Sequence, residues 1–398
     1  MKAIVAGGGS GGHITPILAV VSELKNKDQS SEIVFIGSRG GIEGKLIPEK
    51  GIKNLTISSG KFRRYHRSKI LNVIDPMTIF KNTVDFKRFV FGIFDSLKIL
   101  KEEDPDVVFL KGGHVSLPVG IACRIKGYPY FIHESDVIPG LANKILLKKA
   151  KKIFVSHPLD NFPDIDKDRM VYSGNPIRKD ILEGDRKRAY EIFELKKDLK
   201  TILVLGGSQG AHAINELVAE KLDSYLQKYQ IIHISGDWDY DWLEYKSKKT
   251  SNKDRYKLAG FLTGELKDAY QIADLVITRA SNSVLTEIAA LKKPALVIPL
   301  ESSANDHQLA NAKAYSRQGA VYVMLQSHLS PDKLFKQVDS LLNDPEELSF
   351  MSEKMHKFYK EDAAEIIANQ LISFYKETQR VEKERENEER ERKTKKNR

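Results

Sequence analysis

The chain has 398 residues, of which 41% are hydrophobic and 30% are charged. This suits a soluble α/β protein of two or three domains. The single cysteine, Cys123, excludes an internal disulfide framework and suits a reducing compartment, and no apolar run of about 18 residues is present to span a membrane. The formal charge of +10 lies mostly on the body, because the last 19 residues hold nine Lys or Arg and six Glu. Such a surplus suits phosphorylated ligands, anionic lipid or nucleic acid.

The first predicted strand, Ala3–Ala6, leads into a glycine-rich loop and then a helix. Five glycines surround Ser10, and His13 stands where the loop meets the helix. Glycine lets the backbone approach a ligand closely, and the amides of a helix start suit an anion such as a diphosphate. A Walker loop is excluded, since no Lys-Ser or Lys-Thr follows the last glycine. A dinucleotide fingerprint fits loosely, because Ser38 and Arg39 stand where it expects an acidic residue. A tight turn without a ligand is the alternative interpretation.

Two segments further along are candidates for contact with a lipid surface. The stretch Gly60–Lys69 holds five Lys or Arg with two aromatic residues between them. It is either a solvated loop or a contact for phosphate or lipid headgroups. The predicted helix Phe86–Leu100 contains the run FVFGIF, which is either core or a membrane-facing patch.

The next predicted strands also end in polar residues. Strand Asp106–Leu110 ends in a second glycine loop, Lys111–His114, and a later strand ends at His133 and Glu134. Alternating apolar strands and helices predict parallel βαβ units, in which ligands bind at the carboxyl ends of the strands. We therefore expect these ends and His13 to share one cleft.

The second half of the chain repeats the opening pattern. After a crossover at Gly174–Pro176, residues 200–210 form a strand and a glycine loop with a serine, and a helix follows from Ala211. The predicted fold is α/β, with two Rossmann-like doubly wound parallel-sheet domains facing a cleft, an arrangement that resembles the glycosyltransferase-B architecture. The predicted units are an N-terminal domain (1–177), a C-terminal domain (178–347), a helix returning to the first domain (348–378) and a charged tail (379–398). The tail, with 15 charged residues out of 19, is expected to be disordered or an isolated helix.

The segment Thr278–Pro299 is informative about chemistry. A strand, a small polar loop and a helix carrying Glu287 follow one another there. A carboxylate in the first turn of a helix can cap it or interact with its dipole. Alternatively, its two acceptor oxygens can bind two adjacent hydroxyls, as on a ribose.

As a set, the motifs closely resemble those of the MurG-type bacterial transferases. The matching segments are GGGSGGHITP (7–16), GGHVSLP (112–118), HESDVIPG (133–140), GNPIR (174–178), GGSQGA (206–211), 279–287 and DHQLANA (306–312). They occur in family order over about residues 1–370. The resemblance implies inverting transfer of N-acetylglucosamine from UDP-N-acetylglucosamine to lipid I (undecaprenyl-diphospho-muramoylpentapeptide), giving lipid II for peptidoglycan synthesis.

The resemblance also implies which residues act. His13 becomes the catalytic residue, a general base or transition-state stabiliser for the acceptor C4 hydroxyl; a helix-capping histidine is the alternative. The implied donor-binding residues are Ser10, Gly11, Gly12, Asp136, Arg178, Ser208, Leu262, Asn282, Ser283, Glu287 and Gln308, with Arg178 at the diphosphate, Leu262 at the uracil, Glu287 at the ribose and Gln308 at the sugar. The implied acceptor-side residues are Gly112, Gly113, His114, His133 and Glu134.

Some positions depart from the family pattern. His133–Asp136 reads HESD where HEQN is usual, so that Asp136 places a carboxylate near an anionic donor. His114 replaces a tyrosine, and Leu117 replaces a glycine. These departures concern the sugar and the acceptor more than the nucleotide.

The expected partners follow from the same resemblance. They are UDP-N-acetylglucosamine, lipid I, an anionic membrane surface and other cell-wall synthesis proteins, with no nucleic acid and with a location on the inner face of the cell membrane. No essential metal is expected, although free Mg²⁺ would help to neutralise the diphosphate. The alternatives are a glycolipid glycosyltransferase, a nonhydrolysing UDP-sugar epimerase and a nucleotide-sugar binder without catalytic activity.

Overall fold

The computed structural model describes residues 1–9, 11–41, 43–60, 76–162, 165–206, 210–301, 303 and 306–396. The N-terminal sheet contains β1 (Lys2–Ala6), β2 (Glu32–Ser38), β3 (Lys53–Ile57), β4 (Val107–Leu110), β5 (Tyr130–Glu134), β6 (Ile153–Val155) and β7 (Met170–Tyr172). Its helices are α1 (Gly11–Lys27), α2 (Glu43–Leu46), α3 (Pro76–Glu103), α4 (Gly113–Lys126) and α5 (Leu141–Leu146). The basic stretch predicted at 60–69 lies outside the described residues beyond Gly60.

The C-terminal domain has the same construction. Its strands are β8 (Thr201–Leu205), β9 (Gln230–Ile234), β10 (Tyr256–Ala259), β11 (Leu275–Thr278), β12 (Ala295–Val297) and β13 (Val321–Val323). Its helices are α6 (Arg186–Phe193), α7 (His212–Glu220), α8 (Leu222–Lys228), α9 (Asp237–Ser247), α10 (Leu266–Ile272), α11 (Asn282–Ala290), α12 (His307–Ser316), α13 (Pro331–Leu342) and α14 (Pro345–His356). A last helix, α15 (Ala363–Lys396), follows.

Both sheets are parallel, as predicted. The strand orders are β3-β2-β1-β4-β5-β6-β7 and β10-β9-β8-β11-β12-β13. Alternate residues of β1 enter opposite cores, with Ile4 and Ala6 on one face and Ala3 and Val5 on the other. A strand buried on both faces requires such a continuous apolar sequence. Because β1, β4 and β5 are neighbours, their carboxyl ends lie side by side and form one wall of the cleft.

The C-terminal helices differ from the predicted returning helix, 348–378. Met351 and Met355 of α14 lie in cores of the C-terminal domain, whereas Ile367 and Leu371 of α15 pack against α1 in the N-terminal domain. Only α15 therefore returns. Up to Lys396 the tail continues α15 as a charged helical extension, which is exposed wherever its burial is described.

The chain crosses between the domains twice, at residues 173–178 and 357–362. The two crossings touch, since a Cβ atom at Gly174 would lie 2.8 Å from Lys360 Cβ. Lys360 Nζ also donates a hydrogen bond to the Tyr172 carbonyl oxygen at 3.0 Å. No helix within the described ranges is long and apolar enough to cross a membrane.

Candidate active site

Two glycine loops interlock at the carboxyl ends of β1 and β4. A Cβ atom at Gly9, where φ is +87°, would lie 2.5 Å from His114 Cε1. A Cβ atom at Gly113, where φ is +78°, would lie 3.3 Å from both Cδ2 and Nε2 of the His13 ring. The histidine of each loop thus lies over a glycine of the other loop. A side chain at either glycine would displace the opposing histidine, and the positive φ angles also favour glycine.

His13 is placed as a neutral imidazole at the cleft. Burial, followed by the neighbouring positive charge of Lys111, lowers the pKa of His13 to about 4, while Asp136 opposes this shift. Within the described ranges, His13 Nδ1 is buried and has no hydrogen-bond partner. A neutral ring can accept a proton, which a helix-capping imidazolium cannot do.

Lys111 is a buried cation that the sequence analysis treated as part of a loop. Its side chain is 1% exposed, and Nζ donates a hydrogen bond to Ser135 Oγ at 3.1 Å. Burial lowers its pKa to about 8, although Glu134 and Asp136 favour the charged form. A lysine at the end of an otherwise apolar strand, directly before a glycine loop, was the available signal.

His133 and Glu134, predicted on the acceptor side, engage the protein itself. Glu134 accepts hydrogen bonds from the backbone N–H groups of Asp136 and Gly140 and from Asn143 Nδ2, each at 2.9 Å. His133 is fully buried, and its Nε2 lies 2.9 Å from the Gly174 carbonyl oxygen. Burial lowers the pKa of His133 well below its ordinary value. Both side chains shape the loop that follows β5.

Glu43 is a second residue that the sequence analysis missed. Its fully buried carboxylate accepts hydrogen bonds from the backbone N–H and the Oγ of Ser38, both at 2.6 Å. A Cβ atom at Gly8 would lie 2.4 Å from Glu43 Oε1, so this carboxylate supports the first glycine loop from behind. Glu43 is the first residue of α2, five positions after the end of β2, and faces the loop from there.

In the C-terminal domain, the side chain of Glu287 lies beside Arg178 and Tyr270. Burial raises the pKa of Glu287 to about 7, while Arg178 and the Tyr270 hydroxyl oppose this shift. The Tyr270 hydroxyl lies 3.4 Å from Glu287 Oε2. Because α11 begins at Asn282, Glu287 lies in the second turn, and the interpretation as a capping carboxylate is wrong. Leu262 is partly buried against the core of the same domain.

Gln308 lies at the start of α12, where the backbone of Asp306 adopts φ +53°. Gln308 Oε1 accepts a hydrogen bond from the Leu300 N–H at 2.9 Å. Its Nε2 group is therefore the end that can donate to a ligand. The predicted donor-binding residues Ser10 and Ser208 lie outside the described residues.

Other predicted donor-binding residues connect the two domains. Asn282 Nδ2 donates a hydrogen bond to the Ser135 carbonyl oxygen at 2.6 Å, and Ser283 Oγ donates to the Gly12 carbonyl oxygen at 3.3 Å. Asp136 Oδ1 accepts a hydrogen bond at 2.8 Å from Asn311, which the sequence analysis did not single out within DHQLANA. Gly11 and Gly12 begin α1, and Gly112 precedes α4.

Comparison with known proteins extends over most of the chain. Residues 3–155 match the glycosyltransferase family 28 N-terminal domain, and residues 201–370 match the corresponding C-terminal domain. A Bacillus anthracis UDP-N-acetylglucosamine–N-acetylmuramyl-(pentapeptide) pyrophosphoryl-undecaprenol N-acetylglucosamine transferase 2 is 38% identical, over 87% of this chain and 92% of that protein. A Clostridium botulinum enzyme of the same name, without the final number, is 39% identical over 85% and 90%.

Solved structures show the same fold. Acinetobacter baumannii MurG has a TM-score of 0.68 and 25% identity, covering 94% of this chain and 99% of that chain. A putative UDP-N-acetylglucosamine 2-epimerase from Listeria monocytogenes also has a TM-score of 0.68, with 14% identity over 94% of this chain and 97% of that one. The second similarity shows the fold alone.

Proposed function

The chain belongs to glycosyltransferase family 28, and from this premise we propose that it transfers N-acetylglucosamine from UDP-N-acetylglucosamine to lipid I, giving lipid II. The family membership predicted from the motifs is confirmed by the matches to both domains. The observation that carries the proposal is the neutral His13 between two interlocked glycine loops. Helix α11 of the C-terminal domain, which holds Glu287, contacts the first of these loops through Ser283 and Gly12.

In the proposed reaction, His13 accepts the proton of the acceptor C4 hydroxyl. The hydroxyl oxygen attacks the anomeric carbon of the donor sugar and forms the new C–O bond. The bond from that carbon to the diphosphate oxygen breaks, UDP leaves with the electron pair, and the configuration is inverted. The backbone amides of the first glycine loop and the N-terminus of α1 stabilise the negative charge that develops on the leaving diphosphate.

The C-terminal domain supplies the donor site in this proposal. The two carboxylate oxygens of Glu287 accept hydrogen bonds from the ribose hydroxyls, and Arg178 pairs with the diphosphate. Leu262 packs on the uracil, and Gln308 Nε2 donates to the sugar. The proposal assigns no resident metal; free Mg²⁺ would act on the diphosphate in solution.

A transfer assay tests the proposed function. Purified protein is incubated with UDP-N-acetylglucosamine labelled in the sugar and with a soluble lipid I analogue. Label in the lipid product is the expected result. Release of UDP with the label in free sugar would contradict it and favour an epimerase, and donor binding without either product would leave a nucleotide-sugar binder. His328→Ala removes an exposed histidine that takes no part in the proposed reaction; it is the control for His13→Ala and should retain transfer.

The exposed face of α3 supports a second proposal, that the protein docks on an anionic membrane surface at the inner face of the cell membrane. Phe80, Phe91 and Phe94 are 67%, 62% and 64% exposed. At 100° per residue they share one face of the helix with the exposed Lys87 and Lys98. Exposed aromatic residues with lysines around them suit insertion at a headgroup boundary, since the rings enter the apolar layer and the ammonium groups meet anionic lipid.

Replacing Phe80, Phe91 and Phe94 together by serine is expected to weaken binding to vesicles containing anionic lipid by at least about tenfold, because the buried aromatic area is lost. Co-sedimentation with phosphatidylglycerol-containing vesicles measures the effect. The control, Tyr245→Ser, removes a 64% exposed aromatic residue from the C-terminal domain and should bind like the wild type. Equal binding by the triple variant would refute docking through α3, while transfer to a soluble acceptor should persist.

A further inference from the structure

Residues 135–137, here named the cleft loop, follow β5 in the N-terminal domain and are gripped from the opposite domain. Asn311 Nδ2 donates a hydrogen bond to Asp136 Oδ1 at 2.8 Å. The other end of the same amide, Asn311 Oδ1, accepts a hydrogen bond from the Val137 N–H at 3.1 Å. One side chain therefore binds both a carboxylate and a peptide group across the cleft.

A second asparagine completes this grip. Asn282 Nδ2 donates to the Ser135 carbonyl oxygen at 2.6 Å, and Asn282 Oδ1 accepts from the Tyr315 hydroxyl at 3.0 Å. Asn311 is fixed within its own domain by a hydrogen bond to the Ala280 carbonyl oxygen at 3.2 Å. Both asparagines are buried. Because each side chain is already held by its own domain, little conformational entropy remains to be lost when the domains close.

The cleft loop also contacts Lys111, the buried lysine beside His13. Ser135 Oγ accepts the hydrogen bond from Lys111, and both Lys111 and Asp136 act on the charge state of His13. The position of this loop therefore connects the closure of the domains to the surroundings of His13. A misplacement of about 1 Å between reacting groups can cost about 100-fold in rate.

We propose that Asn282 and Asn311 are positioning residues that close the two domains on the cleft loop, and that Asp136 serves this closure and does not contact the donor. Asp136 Oδ1 points to an amide donor of the opposite domain, so its carboxylate takes part in an internal hydrogen bond. The hydrogen bond with Asn311 also explains why the carboxylate of Asp136 is tolerated near the proposed site for an anionic diphosphate. The kinetic consequence rests on the proposed function, whereas the closure itself does not.

The test begins with Asn311→Asp. This change places a carboxylate oxygen against Asp136 Oδ1 in place of the N–H donor, while the contact with the Val137 N–H can persist. We expect kcat/KM for transfer to fall about 10- to 100-fold, the equivalent of losing a hydrogen bond to a charged group. Adding Asp136→Asn returns a donor facing the new carboxylate and should recover most of the loss. Recovery is incomplete, because the Ala280 carbonyl oxygen stays without its donor.

Domain closure is measured directly and without substrate. The only native cysteine, Cys123, is buried, so fluorophores can be attached selectively to cysteines introduced by Lys126→Cys and Asp241→Cys, at exposed positions in different domains. Energy transfer between them reports the separation of the domains. Asn311→Asp should change the efficiency of energy transfer between the fluorophores. Adding Asp136→Asn should restore the wild-type efficiency. Asn26→Asp, an exposed asparagine on α1, is the matched control and should leave both signals unchanged.

The outcomes separate the two proposals. If the wild type transfers no sugar, the proposed function fails, and energy transfer still tests the closure. An unchanged energy transfer in Asn311→Asp would overturn the closure proposal. A raised KM for the donor without a change in domain separation would identify Asn311 or Asp136 as donor ligands and would equally overturn it. Failure of the double change to recover activity and closure would show that the Asp136–Asn311 bond is not responsible.

Discussion

Replacing His13 by alanine is expected to lower kcat for transfer by about 10²- to 10⁴-fold, the usual contribution of a positioned general base. The KM for the donor should change little, because the donor is held by the opposite domain in the proposed function. Since burial and Lys111 keep His13 neutral, protonation of His13 should not lower kcat at saturating donor until the pH approaches its pKa of about 4. The KM for the donor should already rise at a higher pH than that, because Glu287, with a pKa of about 7, takes up a proton there. Steady-state kinetics at several pH values measure both effects.

His13→Gln is a useful companion variant. Glutamine keeps a polar side chain over Gly113, but its amide cannot act as a base at any pH of the assay. A similar loss of kcat in the alanine and glutamine variants would assign proton transfer to His13. Full activity of the glutamine variant would contradict that role and would leave His13 with packing against the second glycine loop. Circular dichroism should show that both variants remain folded.

Acidification from pH 7 to pH 4 is expected to destabilise the fold by several kcal/mol, through histidines that are buried without charge. Burial lowers the pKa of His157 to about 4 and that of His233 to about 3, although Asp136 and Asp239 respectively oppose these shifts. In the unfolded chain a histidine has a pKa of about 6.5, so below that pH it binds a proton. The same histidine in the folded protein stays neutral until the pH falls to its lowered pKa. Their stabilisation is complete above pH 6.5 and is lost as the pH falls towards the folded values. Each histidine contributes roughly 3 kcal/mol to this loss.

Urea unfolding at several pH values tests this expectation. In His233→Gln, the free energy of unfolding should depend less steeply on pH between 6.5 and 4, whatever its absolute value. His212 is the control, because its hydrogen bond with Asp239 raises its pKa; its contribution is complete below 6.5 and is lost as the pH rises through the raised value. His212→Gln should therefore keep the acid sensitivity. An unchanged pH slope in His233→Gln would disprove the assigned cause.

The fold was predictable because its signals are local. Apolar strands of four or five residues, such as Ala3–Ala6, alternate with helices, and a parallel sheet buried on both faces requires that pattern. The position of His13 at a carboxyl end follows from the same pattern. The placement of Glu287 in the first turn failed because helix boundaries are weakly specified by sequence: α11 begins at Asn282, several residues before the expected start.

The contacts between the domains were not predictable in this way. Asn311 and Asp136 are 175 positions apart, and no periodicity or spacing records that they meet. The burial of Lys111 and the position of Glu43 behind Gly8 likewise depend on which strands become neighbours. Motif matching identified the segments that contain these residues. It could not tell a side chain that faces the ligand from one that faces the protein, as the internal hydrogen bonds of Glu134 illustrate.

The two chain crossings have a mechanical consequence. Because Gly174 and Lys360 touch, both covalent connections between the domains pass through almost the same point. Rotation about that point changes few backbone angles, whereas pulling the domains straight apart would have to extend both crossings at once. The two crossings therefore favour rotation of the domains about a single pivot, in which displacement grows with distance from Gly174 and Lys360. Such a rotation leaves the cores of both domains intact.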